Sequence, residues 1–137
     1  MYQDENQNES INVNPRKNSS GFATLIENFQ EKSLSLDKYL VKKPAATFFL
    51  RAKSEAMQTT VKPEDLLIVD KSLEAMQGNI IIAAYNGEFL CRRYYKFSDH
   101  IELRADNPTF SAIIISLKKT EYFSVWGVVT HVIHTTH

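Results

Sequence analysis

Residues 79–95 read NIIIAAYNGEFLCRRYY, and this stretch decides the fold. Two runs rich in β-branched and aromatic residues flank Asn86-Gly87, and both of these residues tolerate a positive φ. The stretch therefore predicts a β-hairpin with strands over 79–85 and 88–95.

Similar short runs lie on both sides of this hairpin, separated by turn sequences such as 62–65 (KPED) and 106–108 (DNP). They predict additional strands over 47–52, 66–70, 101–104, 111–115 and 124–134. Seven short strands with tight turns predict a mostly β fold, a rolled antiparallel domain. One or two short helices are expected before Pro44, with Ser35 as a candidate N-cap for a helix over 36–40.

The first twenty residues, MYQDENQNESINVNPRKNSS, differ in character from the rest of the chain. They are rich in Asn, Gln, Ser and charged residues and offer little apolar surface to bury. Such a segment is predicted to be a flexible arm. The chain is therefore divided into an arm over 1–20 and a folded domain over 21–137.

The overall composition excludes several classes of protein. Sixteen basic and sixteen acidic residues cancel, and no basic stripe is present, which argues against direct sequence-specific DNA binding. The single cysteine, Cys91, fits a reducing compartment. No apolar run is long enough to cross a bilayer and no signal-peptide core is present, so a cytoplasmic location is expected. His131, His134 and His137 are three apart, and residues three apart on a strand point to opposite faces, so a shared metal site is not expected. No cofactor is predicted.

Six stretches, taken together, resemble the UmuD branch of the LexA/UmuD family of self-cleaving Ser–Lys peptidases. They follow one another in the order and spacing of that family and cover nearly the whole chain from residue 21. The short N-terminal arm also suits UmuD, because twenty residues cannot hold the helix-turn-helix domain of the repressors. The matching stretches are 21–22 (GF), 43–49 (KPAATFF), 63–70 (PEDLLIVD), 78–84 (GNIIIAA), 86–89 (NGEF) and 126–133 (WGVVTHVI).

The resemblance places the family's catalytic dyad at Ala56 and Arg92. The family nucleophile is a serine directly before a methionine, and here Ala56 precedes Met57. A methyl group has no lone pair with which to attack a carbonyl. The family general base is a lysine soon after the Gly-Glu-Phe hairpin, and Arg92 occupies that position. An arginine stays protonated at physiological pH and cannot accept the proton. The resemblance thus implies a peptidase fold without peptidase activity.

The same resemblance implies a biological role. The family cuts itself between a small residue and glycine in the arm, and Ser20-Gly21 matches that junction. UmuD-like proteins form homodimers and interact with the RecA filament and with a UmuC-type translesion DNA polymerase. This chain is then expected to be an SOS mutagenesis protein, a regulatory polymerase subunit locked in the uncleaved form.

Two alternatives stay open from the sequence. The chain is an active self-cleaving peptidase if the motif is misaligned or if Ser54 substitutes as nucleophile, although a turn serine is the simpler interpretation of Ser54. In the second alternative it modulates a LexA-like repressor through the shared dimer surface. In the silent cleft, Arg92 is expected to pair with a carboxylate such as Glu55 or to turn outward. Cys91, its neighbour on the strand, is expected to face away from the cleft.

Overall fold

The computed structural model describes residues 34–119 and 122–137. All the strands described below belong to one compact unit, which begins at residue 37. The predicted arm over 1–20 and the junction at Ser20-Gly21 lie outside the described residues.

The described part of the chain is mostly β and antiparallel, as the sequence predicts. A short helix α1 spans Leu36–Leu40, and one 3-10 turn spans Pro44–Ala46. The ends of the strands differ from the predicted ends by at most two residues. The strands are β1 (Thr47–Arg51), β2 (Leu66–Asp70), β3 (Ile80–Tyr85), β4 (Glu88–Lys96), β5 (His100–Arg104), β6 (Ile113–Ser116) and β7 (Phe123–Ile133).

These strands form one sheet in the order β1-β2-β7-β3-β4-β5-β6, with every neighbouring pair antiparallel. The β3–β4 hairpin closes with Tyr85 opposite Glu88. Its two loop residues, Asn86 and Gly87, have φ values of 51° and 82°. Positive φ at both loop residues is what a two-residue turn between twisted strands requires, so the hairpin prediction is confirmed.

Two hydrophobic clusters lie on opposite faces of the sheet. Ile81 and Ala83 belong to the first cluster, whereas Ile82 between them belongs to the second. Because successive strand residues point to opposite faces, the two clusters are separated by the sheet itself. β2 is buried along most of its length, in keeping with its uninterrupted apolar run. The second cluster, which contains Ala52, Met57, Val61 and Leu67, forms the floor of the site described below.

β7 is the longest strand, and it joins β2 to β3 in the middle of the sheet. A Cβ atom built on Gly127 would lie 2.6 Å from Cγ1 of Val69, a distance that real Cβ contacts do not reach. Gly127 therefore permits the close approach of β2 and β7. The register shifts between Ile68 and Val69 on the β2 side and between Ile82 and Ala83 on the β3 side.

The helices within 34–119 and 122–137 are all short of the length and apolar content that a membrane-crossing helix needs.

Candidate functional site

Ala56 and Arg92 line the same cavity, which has a volume of about 210 Å³. Its walls come from β1, the segment between β1 and β2, and the first half of β4. Most of the lining is aliphatic or aromatic. The lining residues are Leu50, Arg51, Ala52, Lys53, Ser54, Ala56, Met57, Val61, Leu67, Ile82, Phe89, Leu90, Cys91 and Arg92.

A turn and a distant loop together fix Ala56. The backbone N–H of Ala56 donates to Oγ of Ser54 at 3.0 Å. The carbonyl of Ala56 accepts from the N–H of Asn107 at 2.9 Å, and the Asn107 side-chain amide donates to the carbonyl of Glu55 at 3.0 Å. Ala56 is completely buried. The sequence indicates only a turn at Asn107, so its role in holding this segment emerges from the structure alone.

A second anchor ties the same segment to β4. The Asp106 carboxylate accepts from Nε and Nη2 of Arg93, at 3.0 and 3.2 Å, and from the Thr60 hydroxyl at 2.5 Å. Nη1 of Arg93 donates to the carbonyl of Gly78 at 2.9 Å. Two side chains far apart in sequence, Thr60 and Arg93, thus meet at one carboxylate. A fork-shaped arginine–carboxylate pair of this kind gives a defined geometry as well as energy.

Arg92 is buried and has few partners. It is 8% exposed, and Nη1 donates to the carbonyl of Cys91 at 2.9 Å. Nε has no hydrogen-bond partner, and Cζ lies 5.9 Å from the centre of the Phe110 ring. None of the ion pairs among the described residues involves Arg92. The expectation that Arg92 pairs with Glu55 or turns outward is therefore wrong.

The electrostatics of Arg92 follow from this burial. Desolvation lowers the pKa of the guanidinium below its ordinary value, because it removes the water that stabilises the charge. An arginine nevertheless starts so far above neutral pH that it stays cationic in proteins. The cavity therefore contains a charge whose donors are incompletely satisfied.

Cys91 also lines the cavity, and its side chain packs against the cluster that contains Met57, Val61 and Ile82. The prediction that it faces away from the cleft is wrong, because this cleft is bounded by more than one face of β4. Burial raises the pKa of the Cys91 thiol to about 11, and Arg92 only partly opposes this effect. A thiol with such a pKa carries almost no thiolate at neutral pH and is a poor replacement for a missing nucleophile.

Ser54 lies at the cavity, but its geometry is that of a turn residue. Its hydroxyl oxygen accepts the hydrogen bond from the N–H of Ala56. The lysine of the cavity lining, Lys53, points to solvent and pairs with Glu64 at 3.1 Å. A general-base lysine must instead be desolvated and within reach of the hydroxyl.

The rim of the cavity is cationic. Arg51 and Lys53 join Arg92 in the lining, and the lining residues include no carboxylate. Arg51 donates from Nη1 to the backbone carbonyl of Glu64 at 3.0 Å. The cavity thus combines apolar walls with two arginines, Arg51 and Arg92, and no carboxylate in its lining.

No cluster of three or more His, Cys, Asp or Glu side chains within 34–119 and 122–137 is arranged to hold a metal ion. Nδ1 of His134 instead lies 2.7 Å from Oδ1 of the buried Asp65. Burial by itself raises the pKa of Asp65, but hydrogen bonds from the Lys62 N–H and from His134 hold it below its usual value.

Residues 14–130 match the model of the peptidase S24-like family. Protein ImpA of Escherichia coli is 39% identical over 119 residues, which are 85% of this chain and 79% of that protein. Protein MucA of Escherichia coli is 33% identical over 114 residues, covering 82% of this chain and 77% of MucA. The LexA repressor of Proteus mirabilis is 34% identical over 116 residues, which are 84% of this chain and 56% of the repressor.

Proposed function

Because this chain belongs to the peptidase S24-like family and is of the LexA/UmuD type within it, we propose that it is a catalytically silent SOS mutagenesis protein. In this role it stays in the uncleaved form and regulates a UmuC-type translesion DNA polymerase. The peptidase fold serves as a binding scaffold.

One observation carries the proposal. A fully buried methyl group, Ala56, and a buried guanidinium, Arg92, line one cavity. We assign these two residues, from the resemblance to UmuD, to the positions of the family nucleophile and general base. Acyl transfer by the dyad needs a hydroxyl and a neutral amine at these positions. Loss of either member removes most of the activity, because the two groups act as a unit.

The partners follow from the resemblance to UmuD. We propose that the chain forms a homodimer in the cytoplasm, engages the RecA filament without being cut, and restrains the polymerase that it binds. The balanced charge supports contact with DNA through these proteins and not directly.

The decisive experiment restores the dyad. Purified wild-type protein and the double variant Ala56→Ser, Arg92→Lys are incubated with an activated RecA filament, and separately at alkaline pH, and their masses are measured. The wild-type mass is expected to stay constant, whereas the double variant releases a chain that begins at Gly21. Each single variant serves as a matched control and stays intact.

A shortened wild-type chain would refute the proposal and favour an active peptidase. In that case Ser54→Ala tests whether Ser54 is the nucleophile, because it removes that hydroxyl and leaves Ala56 and Arg92 unchanged. Continued cleavage of the Ser54→Ala variant would point to another nucleophile.

The match to the LexA repressor favours a second candidate function, in which the chain modulates a LexA-like repressor through a mixed dimer. Co-purification separates the two roles. Tagged protein is mixed with equal amounts of a UmuC-type polymerase and a LexA-like repressor. Retention of the polymerase alone supports the first role, and retention of the repressor alone supports the second.

A further inference from the structure

Within the part of the chain that the structure describes, one edge of the Arg92 guanidinium makes no hydrogen bond. Of its three nitrogens, Nη1 donates to a carbonyl on its own strand, while Nε is buried with no partner. None of the hydrogen bonds between described residues involves Nη2 of Arg92. Nε and Nη2 together form the edge that binds a carboxylate through two parallel hydrogen bonds.

The surroundings of this edge suit an anion that carries an apolar group. The cavity lining contributes the cations Arg51 and Arg92 and no carboxylate, while the charge of Lys53 is paired with Glu64 in solvent. Its remaining walls are largely apolar, with Leu50, Val61 and Phe89 among them. A volume of about 210 Å³ corresponds to roughly seven water molecules at the density of the liquid. This is room for one amino-acid side chain together with its carboxylate.

A buried charge without a counter-ion is costly for a folded protein, and a bound anion would offset that cost. The neighbouring Cys91 thiol is neutral at physiological pH, because burial raises its pKa to about 11, so it does not supply the missing negative charge.

We propose that the cleft is a carboxylate-binding pocket, in which Arg92 holds the α-carboxylate of a peptide ending in an apolar residue and the apolar walls hold its last side chain. Nε is enclosed in the present arrangement, so binding requires the guanidinium to shift within the cavity and present its Nε–Nη2 edge. Replacement of the two dyad residues thereby converts a site for cutting peptide bonds into a site for holding a chain end. The inference is independent of the proposed partnership with a polymerase.

The test uses N-acetyl-L-leucine as the probe, titrated into the full-length protein and followed by NMR through the Ala56 methyl and Arg92 Nε–H signals. N-acetyl-L-leucinamide, which lacks the charge, and acetate, which lacks the apolar side chain, are the matched probes. Both are expected to bind at least about tenfold more weakly than the acid. The amide loses the ion pair with Arg92, and acetate loses the contact with the apolar walls.

Arg92→Met is expected to abolish the preference for the acid over the amide, and Arg92→Lys to retain only part of it, because an ammonium lacks the planar fork. Arg104→Met removes an arginine that pairs with Glu102 away from the cavity and is expected to leave binding unchanged. Circular dichroism verifies that each variant is folded.

Equal affinity for the acid and the amide, unchanged binding by Arg92→Met, or no shift of the Ala56 methyl at about 10 mM probe would each overturn the inference. None of these results bears on self-cleavage or on the polymerase, so the failure of this pocket and the failure of the proposed function are distinguishable.

Discussion

Arg92 and Arg93 are consecutive residues of β4, yet their surroundings differ in almost every respect. Arg93 donates through Nε and Nη2 to Asp106 and through Nη1 to Gly78. Arg92 is more deeply buried, and its one hydrogen bond within residues 34–119 and 122–137 goes to the carbonyl of the residue before it. Because successive strand residues point to opposite faces of the sheet, the two side chains contact different neighbours.

The difference separates a structural arginine from a functional candidate. Arg93 joins the segment after β1 to the sheet through Asp106, so its charge is compensated within the protein. Arg92 lies at the cavity, and its buried Nε has no hydrogen-bond partner among the described residues. Burial alone does not distinguish the two, whereas the state of their hydrogen bonds does.

The largest loss of stability is expected from Arg93→Met. This change leaves the Asp106 carboxylate, which is 19% exposed, without its counter-ion. We expect the free energy of unfolding to fall by about 2 kcal/mol, less than for a fully buried pair because water reaches both groups. Urea denaturation followed by circular dichroism measures the change. A loss below about 0.5 kcal/mol would mean that the fork at Asp106 behaves like a surface ion pair.

Arg92→Met is the matched change one residue earlier, and its effect on stability is expected to be smaller. Replacing an uncompensated buried cation with an apolar side chain of similar length removes a desolvation cost and keeps the packing. We expect the free energy of unfolding to rise, by no more than about 1 kcal/mol. A loss as large as that of Arg93→Met, in the same denaturation experiment, would erase the contrast between the two arginines.

The smallest expected effect is on the alkylation rate of Cys91, which precedes both arginines in the chain. With its pKa raised to about 11, the thiol is about one part in a thousand thiolate at pH 8, against roughly a quarter for an ordinary cysteine. Alkylation by iodoacetamide is therefore expected to be slow at pH 8 and to accelerate as the pH approaches 11, with the urea-unfolded chain as the fast control.

The two arginines also enter this experiment, because both favour the thiolate of Cys91 and Arg92 does so more strongly. Arg92→Met is expected to slow alkylation more than Arg93→Met. The reverse order would show that the cavity opens when Arg92 is removed and that access, not charge, controls the reaction.

Local patterns predicted the sheet well. Alternating apolar residues and the Asn86-Gly87 turn act over a few residues, so seven strands and the hairpin follow from sequence with small errors at their ends. The placement of Ala56 and Arg92 in one cavity agrees with the resemblance to UmuD, while their functional roles stay predictions.

The incorrect expectations concerned what surrounds a side chain in three dimensions. Strand alternation placed Cys91 away from the cleft, yet this cavity receives residues from both faces of β4. Electrostatics suggested Glu55 as the partner of Arg92, whereas Glu55 is exposed and contributes a backbone carbonyl to Asn107. The Asp106 and Asn107 anchors join residues about fifty positions apart, and no local pattern carries that information.

Those anchors have a consequence for the order of folding. The hydrogen bonds from Asn107 to Glu55 and Ala56 close a loop that contains β2, β3, β4 and β5. Such contacts cost more closure entropy than those of a local hairpin, so we expect them to form after the β3–β4 hairpin. The Ala56 methyl is therefore expected to reach its native environment later than the residues of that hairpin.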